Sequence, residues 1–447
     1  MLSAEKRLFS ETPVMRAIFE LAFPAVLSQL ITVIYNMADT FFIGQMGDPA
    51  QVAAATIALP LFTFLTGVAN LFGIGGSSLI SRALGAGDRQ RAAAGASFCI
   101  YGAAIVALVY GFSIVTFRTI LLPLIGVTSM TYEYCASYVF WTMGLGSAPT
   151  VLNTMFSHLV RAEGYSREAS FGVAFGGVLN IALDPIFIFT LGLQIRGAAI
   201  ATMLSNVAAT AYFVIFIHKI RLESTIRFSP RWLSLGRKVA FEVLSIGVPS
   251  FVACFLSSFA NGTLNKIVSA YSSEAIAGMG IAKKIHLAAF CVAHGMTQGP
   301  LPLIGYNYSS GNKSRMMEAI KKLFLCCITI GVSETVIFYV AAGPIAHVFI
   351  DNAATVNYAT SFLKIICLDG PTTILCFLII TLFQATGQKL QPLFLSFLRK
   401  GTIDVPFMFL FDSLFGLAGV AWATPCSDFI AFAISLATFL PHVRKLK

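Results

Sequence analysis

Apolar stretches of about 20 residues recur along the whole chain, each long enough to cross a bilayer as a helix. Twelve can be marked, near 14–44, 52–79, 93–117, 134–160, 168–191, 197–217, 240–269, 276–305, 319–341, 355–384, 392–411 and 416–440. The buried helices of a large soluble protein would carry polar faces that interrupt such runs, and interruptions are mostly absent. Of the 447 residues 57% are apolar and 11% charged, against about 25% charged in a typical soluble domain. The expected fold is an all-α integral membrane protein of twelve transmembrane helices.

The net charge of +10 would suit a nucleic-acid partner, but the positions of the basic residues argue otherwise. With the N-terminus in the cytoplasm, most of the 30 Lys and Arg fall on the tails and on even-numbered connections, including Lys6, Arg89, Arg91, Lys219, Arg227, Lys321 and Lys447. Odd-numbered connections carry only Arg118 and Arg196. This asymmetry follows the positive-inside rule and puts both termini of a multi-pass cell-membrane protein in the cytoplasm. The basicity is topological, and no nucleic-acid partner is expected. The nine cysteines show no paired spacing and mostly sit within spans, where a thiol behaves as a small apolar residue. The first apolar run is of spanning length and lacks a small-residue cleavage site, so it is expected to stay as the first helix.

Two carboxylates stand inside these runs. Asp39 is the only charge between Pro24 and Gly44, and Asp184 the only one in FGVAFGGVLNIALDPIFIFTLG. An ionisable group at membrane depth is costly and marks an ion or substrate pathway. Ser28, Thr32, Tyr35, Asn36 and Asp39 fall at i, i+4, i+7, i+8 and i+11, one face of a helix. Asn180 and Asp184 are also four apart, and Pro185 after them loosens the local backbone hydrogen bonding. Thr202, Ser205 and Asn206 form a third polar cluster, and Asn153, Thr154 and Ser157 a fourth.

An internal repeat organises the chain. At an offset near 223, Pro24 aligns with Pro249, Asn36 with Asn261, Ala50 with Ala275, Gly87 with Gly311, Arg91 with Arg315 and Gly164 with Gly387. GAAIAT at 197–202 aligns with GVAWAT at 419–424. Six spans per half give both halves the same orientation, related by an axis along the membrane normal. The expected organisation is an N-terminal six-helix lobe at 1–217 carrying the cation and substrate site, a basic cytoplasmic linker at 218–239, and a C-terminal six-helix lobe at 240–447. Asp39 aligns with Leu264, and Asp184 falls opposite Val405 or Pro406, so the carboxylate pair belongs to the first lobe alone.

The segments YNMADTFFIGQMGD, ALP at 58–60, GIGGSSLISRALGAGDRQRA at 73–92 and NIALDPIFIF at 180–189 resemble the multidrug and toxic compound extrusion (MATE) family, and within it the DinF-like branch. The resemblance covers essentially the whole chain. It implies two pseudo-symmetric six-helix lobes around a central cavity, exporting lipophilic, often cationic organic compounds against an inward H⁺ or Na⁺ gradient. It also places Tyr35, Asp39, Asn153, Asn180, Asp184 and Thr202 around one first-lobe pocket, with Tyr35, Asn36, Met37 and Asp39 as the substrate-facing set. Another branch of the family uses acids in the second lobe; here the seventh span has none from Pro249 to Ser269, and Asp369 in the tenth is a partial match.

Two carboxylates in a low-dielectric pocket cannot both stay ionised cheaply, so the pair can take up and release a proton. The oxygens of Asp39, Asn180, Asp184 and Thr202 would equally suit Na⁺. H⁺ is the expected coupling ion, and no cofactor is expected. The embedded second-lobe charges, Lys283, Lys284, Glu334, Lys364, Asp369, Arg399, Lys400, Asp404 and Asp428, nearly balance in sign, which points to compensating ion pairs; Lys283, Lys284 and Asp369 are the best functional candidates among them. Pro24 and Pro249 occupy equivalent places in the first and seventh spans and are candidate hinges. An ATP-driven pump lacks support, since SSGNKS at 309–314 has no Walker spacing. The six histidines show no ligand spacing for an intramembrane enzyme. A channel fits the parallel repeat with buried carboxylates less well than alternating access does. The expected function is that of a secondary antiporter, a monomer in the bilayer acting on small organic drugs or toxins; a lipid-linked precursor flippase of the same superfamily is the alternative.

Overall fold

The computed structural model describes residues 7–231, 236–350 and 352–446, and the described chain is helices joined by turns. Lys6, Lys447 and part of the 218–239 connector lie outside the described residues. Ten helical stretches among those described are long and apolar enough to cross a membrane. In chain order the spans are α1 Val14–Gln45, α2 Ala50–Gly85, α3 Arg89–Leu124, α4 in two pieces (Tyr132–Val139 and Ser147–Ala162), α5 Ser166–Thr190, α6 Ile195–Lys219, α7 Arg237–Ser269, α8 Ser273–Ser309, α9 Lys313–Val340, α10 Ala353–Ala385, α11 over 390–415 and α12 over 417–446. A π-helical turn at Phe140–Leu145 interrupts α4. The long run Leu390–Lys445 is two helices, because Gly416 breaks it with φ 61° and ψ −148°. The ten stretches, with the last one divided and the two-piece α4 added, make up the twelve spans that the apolar runs predict.

The repeat is visible in the backbone itself. Asp88 caps α3 by accepting from the Arg91 amide at 2.9 Å, and Asn312 caps α9 by accepting from the Arg315 amide at 3.1 Å. Before each cap stands a left-handed glycine, Gly87 and Gly311, both at φ 76°, a conformation that only glycine adopts without strain. The break before α12 has its counterpart before α6. Gln194 takes φ 53° and ψ −138°, nearly the conformation of Gly416, and it is the one non-glycine residue at positive φ among those described.

The chain divides into two compact units whose limits fall inside α1 and α7. One comprises Met1–Thr12 and Leu27–Cys254, the other Pro13–Val26 and Phe255–Lys447. In the first unit the N-terminal half of α7 lies on α2 through paired glycines. A methyl on Gly75 would collide with the Val243 carbonyl oxygen, and one on Gly247 with the Leu71 carbonyl oxygen. Glu242 then bridges Arg82 at 2.7 Å and Arg91 at 2.5 Å, tying α7 to α2 and α3. In the second unit the N-terminal half of α1 lies on α8 in the same manner: a methyl on Gly295 would sit 2.5 Å from Val26 Cα, and one on Gly299 2.7 Å from the Leu21 carbonyl oxygen. Small residues permit this close backbone approach, the usual basis of helix association in lipid. Pro24 and Pro249 both sit inside continuous helices close to these limits. The rest of the second unit packs around Ala260, Leu264, Met279, Phe362, Leu363 and Met408.

Candidate functional site

In the first unit, the glycines of α5 decide what approaches it. Gly172, Gly176 and Asn180 recur every four residues and face α6. A methyl on Gly172 would meet the Phe213 ring at 2.4 Å or slightly more distant atoms of Tyr212, and one on Gly176 would meet Ala209 Cβ at 3.0 Å. Gly177, on the adjacent face, receives α1: a methyl there would lie 2.9 Å from Ile31 Cγ2 and 2.9 Å from Tyr35 Cδ1. Further along the same pair of helices Ile43 packs with Ile188. Both contacts advance in the same chain direction, so α1 and α5 run parallel, and between them Asp39 comes level with Asp184.

Asp184 is fully buried and Asn180 nearly so. The Asn180 amide donates to Asp184 Oδ1 and to Thr202 Oγ1, each at 3.3 Å. Thr202 therefore presents its hydroxyl to a neighbouring helix. One turn on, Asn206 donates to the Thr202 carbonyl at 2.9 Å and accepts from the Asn153 amide at 3.1 Å. Asn153 thus joins the cluster through its hydrogen bond to Asn206. Several oxygens stay unpartnered though buried: Asp39 Oδ1, Asp184 Oδ2, Asn180 Oδ1 and Asn153 Oδ1. Among the described residues no Lys, Arg or His is paired with either carboxylate.

The remaining candidates on α1 divide. Thr32 donates to the Ser28 carbonyl at 2.9 Å, Asn36 to the Thr32 carbonyl at 2.8 Å and Thr40 to the Asn36 carbonyl at 3.0 Å, so much of the polar stripe satisfies itself along its own helix. Tyr35 and Asp39 are left to face α5. Met37 lies two residues from each, on the opposite side of a helix that turns about 100° per residue, and is 39% exposed; it is not brought to the carboxylates, and Asn36 is also exposed.

Tyr138, at the end of the first piece of α4, belongs to the site although no sequence pattern marks it. It packs against Ile43, Ile188 and Ala198 and lies within electrostatic range of Asp39, Asp184 and Tyr35. At the adjacent end of the bundle a buried polar clamp holds the α5–α6 turn. Gln51 accepts from the Ile195 amide at 3.0 Å and donates to Gln194 Oε1 at 3.1 Å. It also donates to Asp48 Oδ2 at 3.2 Å, while the Ala50 amide donates to Asp48 Oδ1 at 2.9 Å. Those donors, Gln51 foremost, hold the Asp48 carboxyl below the usual carboxylate range.

The second unit pairs several of its embedded charges. Arg399 binds Asp428 in bidentate fashion, Nε to Oδ1 at 2.8 Å and Nη2 to Oδ2 at 2.9 Å, with the Thr373 hydroxyl donating to Asp428 Oδ2 at 2.5 Å. Lys400 pairs with Asp404 at 3.2 Å, and His286 meets Asp369 at 2.8 Å. Lys283 donates to the neutral side chain of Asn261 at 2.7 Å, and Lys284 is exposed. Among the described residues no group of three or more His, Cys, Asp or Glu could hold a metal ion.

Comparison with known proteins identifies the family and the fold. The MatE family model matches twice, over residues 24–186 and 249–410, and both matches begin at the repeat-related prolines. The chain is 30% identical over 433 residues to the multidrug export protein MepA of Staphylococcus saprophyticus, covering 97% of this chain and 95% of that one, and equally so to MepA of Staphylococcus aureus. Among solved structures, the outward-facing conformation of a multidrug resistance MATE family transporter of the MOP superfamily superposes with a TM-score of 0.93 at 23% identity, covering 100% and 99% of the two chains. A MATE transporter in the bent conformation superposes at 0.91, with 23% identity and 100% and 98% coverage. These structural likenesses bear on the fold alone. The two family matches, with relatives aligned over nearly the entire length, place this chain in the MatE family.

Proposed function

We propose that this protein is an H⁺-coupled multidrug antiporter that exports lipophilic, often cationic organic compounds by alternating access. The observation that carries this reading is the pairing of Asp39 and Asp184 at one level of two parallel helices, Asp184 buried and Asp39 half-buried, each with an unpartnered buried oxygen and no described cation beside them. A family of membrane antiporters and relatives named for multidrug export make a transport role the natural use of such a pair.

The steps follow from charge. With Asp39 ionised, the pocket is anionic and attracts a cationic guest whose flat apolar body finds Tyr35 and Tyr138 nearby. Protonation of the carboxylate removes that attraction. A site that holds proton and guest poorly at once links the two reciprocally, each weakening the other's binding by the same factor. Protons arriving from the outer side, where they are more concentrated, release the guest outward, and deprotonation on the cytoplasmic side restores binding. Asn180 holds Asp184 in place and shares its amide with Thr202, so a change of charge at Asp184 reaches α6 through a single side chain. The distribution of basic residues supports both termini in the cytoplasm.

The same unpartnered oxygens, three of them on Asp39, Asn180 and Asp184, are hard ligands that would also suit Na⁺. Substrate efflux from proteoliposomes with imposed gradients separates the ions. A pH gradient alone is expected to drive efflux; efflux driven by a Na⁺ gradient at symmetric pH, indifferent to a pH gradient, would overturn the proton assignment.

A further inference from the structure

The two arginines on odd-numbered connections, Arg118 and Arg196, line one crevice of about 480 Å³ in the first unit, with Glu133, Ser137, Phe140 and Trp141. It opens where α3 ends and where α4 and α6 begin, at the end of the bundle opposite the start of α1. The other odd-numbered connections carry no Lys or Arg, so the two basic residues of these connections meet in a single crevice.

The crevice is built rather than incidental. Arg196 Nε donates to Ser137 Oγ at 2.9 Å, which orients the guanidinium and leaves its two terminal nitrogens free. Arg196 stands two residues after Gln194, whose positive φ is held by the buried Gln51 clamp, so its backbone is fixed from beneath. Arg118 has no described partner at all. Around it on α3, Phe112, Phe117, Ile120 and Leu124 are each more than half exposed, and in a membrane-spanning helix such side chains face lipid. Arg118 lies about 9 Å from the end of α3 at 1.5 Å per residue, the depth at which headgroups meet acyl chains. Trp141 lies in the same crevice, and tryptophan favours that level. Glu133 sits in the first turn of α4, where the helix dipole compensates its charge. Two guanidinium groups against one carboxylate leave a single positive charge.

We propose that this crevice binds the phosphodiester headgroup of an anionic phospholipid, with Arg118 and Arg196 donating to the phosphate oxygens and the acyl chains lying along the exposed face of α3. Planar guanidinium forks match phosphate oxygens bidentately, and one phosphodiester charge neutralises the residual charge of the crevice. With the termini in the cytoplasm, the lipid belongs to the outer leaflet.

The test is native mass spectrometry of the full-length protein in detergent, titrated with phosphatidylglycerol, phosphatidylcholine or inorganic phosphate. Phosphatidylglycerol is expected to bind at least tenfold more tightly than phosphatidylcholine, and inorganic phosphate, which lacks chains for the α3 face, is expected not to displace it. Arg118→Gln and the Arg118→Ala/Arg196→Ala pair should each lose that preference, whereas Glu133→Gln should keep or strengthen it. Arg118→Gln removes a side chain with no described partner, so it reports even if the double variant fails to fold. Unchanged phosphatidylglycerol binding in a folded Arg118→Gln protein, equal binding of phosphatidylcholine, or displacement by inorganic phosphate would each overturn the proposal.

Discussion

The ring of Tyr35 lies in the hollow left by Gly177: a methyl on that glycine would approach Tyr35 Cδ1 to 2.9 Å. This contact brings α1 against α5 and sets Asp39 beside Asp184. Gly177→Ala is therefore expected to displace the ring, destabilise the protein by about 1–3 kcal/mol as overpacking does, and lower efflux more than that loss of stability explains. Thermal unfolding and efflux measured on the same preparation check it. Normal efflux at normal stability would mean that the Tyr35 position is unimportant.

Asp39→Asn should abolish efflux while the protein still inserts and folds. Replacing a half-buried carboxylate whose Oδ1 is buried without a partner by an amide relieves a desolvation cost, so the unfolding temperature is expected to hold or rise. A well-expressed variant with wild-type drug resistance would contradict this.

If Asp39 and Asp184 act as one site, their losses will not add. The double change Asp39→Asn with Asp184→Asn should be no worse than the more severe single one. Resistance assays on the four members of this cycle decide it, and two partial losses that sum would assign the carboxylates independent roles.

The Arg399–Asp428 pair should behave as a structural element. Asp428→Asn leaves a buried guanidinium without its charge partner and should cost about 3–5 kcal/mol, whereas replacing both residues with apolar ones of similar volume should be far milder. Unfolding in detergent measures both. A mild single change with lost efflux would instead give Asp428 a transport role.

Gln51→Ala removes the support of the α5–α6 turn and leaves the buried Ile195 amide without its acceptor, an expected loss of about 1–3 kcal/mol. In the Gln51→Ala background, Gln194→Gly should recover stability, since a strained positive φ costs about 1–3 kcal/mol in a non-glycine residue. Denaturation of the three variants checks the order; no recovery would mean that the conformation carries no strain.

Much of this was legible because lipid imposes strict rules on a chain. Long apolar runs, a repeat with conserved spacing and two isolated carboxylates are one-dimensional signals, and each has a counterpart in the helices, the paired caps at Asp88 and Asn312, and the Asp184–Asn180–Thr202 chain. What escaped depends on contacts between distant segments. Tyr138 is one of thirteen tyrosines and is distinguished only by where the interruption of α4 points it. Spacing put Ser28, Thr32 and Asn36 on one face with Asp39, yet spacing cannot show that a hydroxyl or amide will bond its own helix. Asn206 looked like a bystander of Thr202 and is the link to Asn153. The connector at 218–239 marks where the repeat begins again, while the compact units divide inside α1 and α7, because glycine-to-backbone contacts between α7 and α2 and between α1 and α8 leave no periodic trace.

That exchange of helix halves has a consequence for biosynthesis. Residues 13–26 are made before the rest of the second unit, but their resting place on α8 requires Gly295 and Gly299, which emerge from the ribosome more than 250 residues later. The first unit, likewise, lacks one of its walls until Cys254 has been made. Helices insert before they pack, so the opening half of α1 must wait in the bilayer as an unattached segment while the first unit assembles without it. The first unit can close once the opening half of α7 has been made, whereas the second, which includes residues 13–26, must wait for the spans that follow.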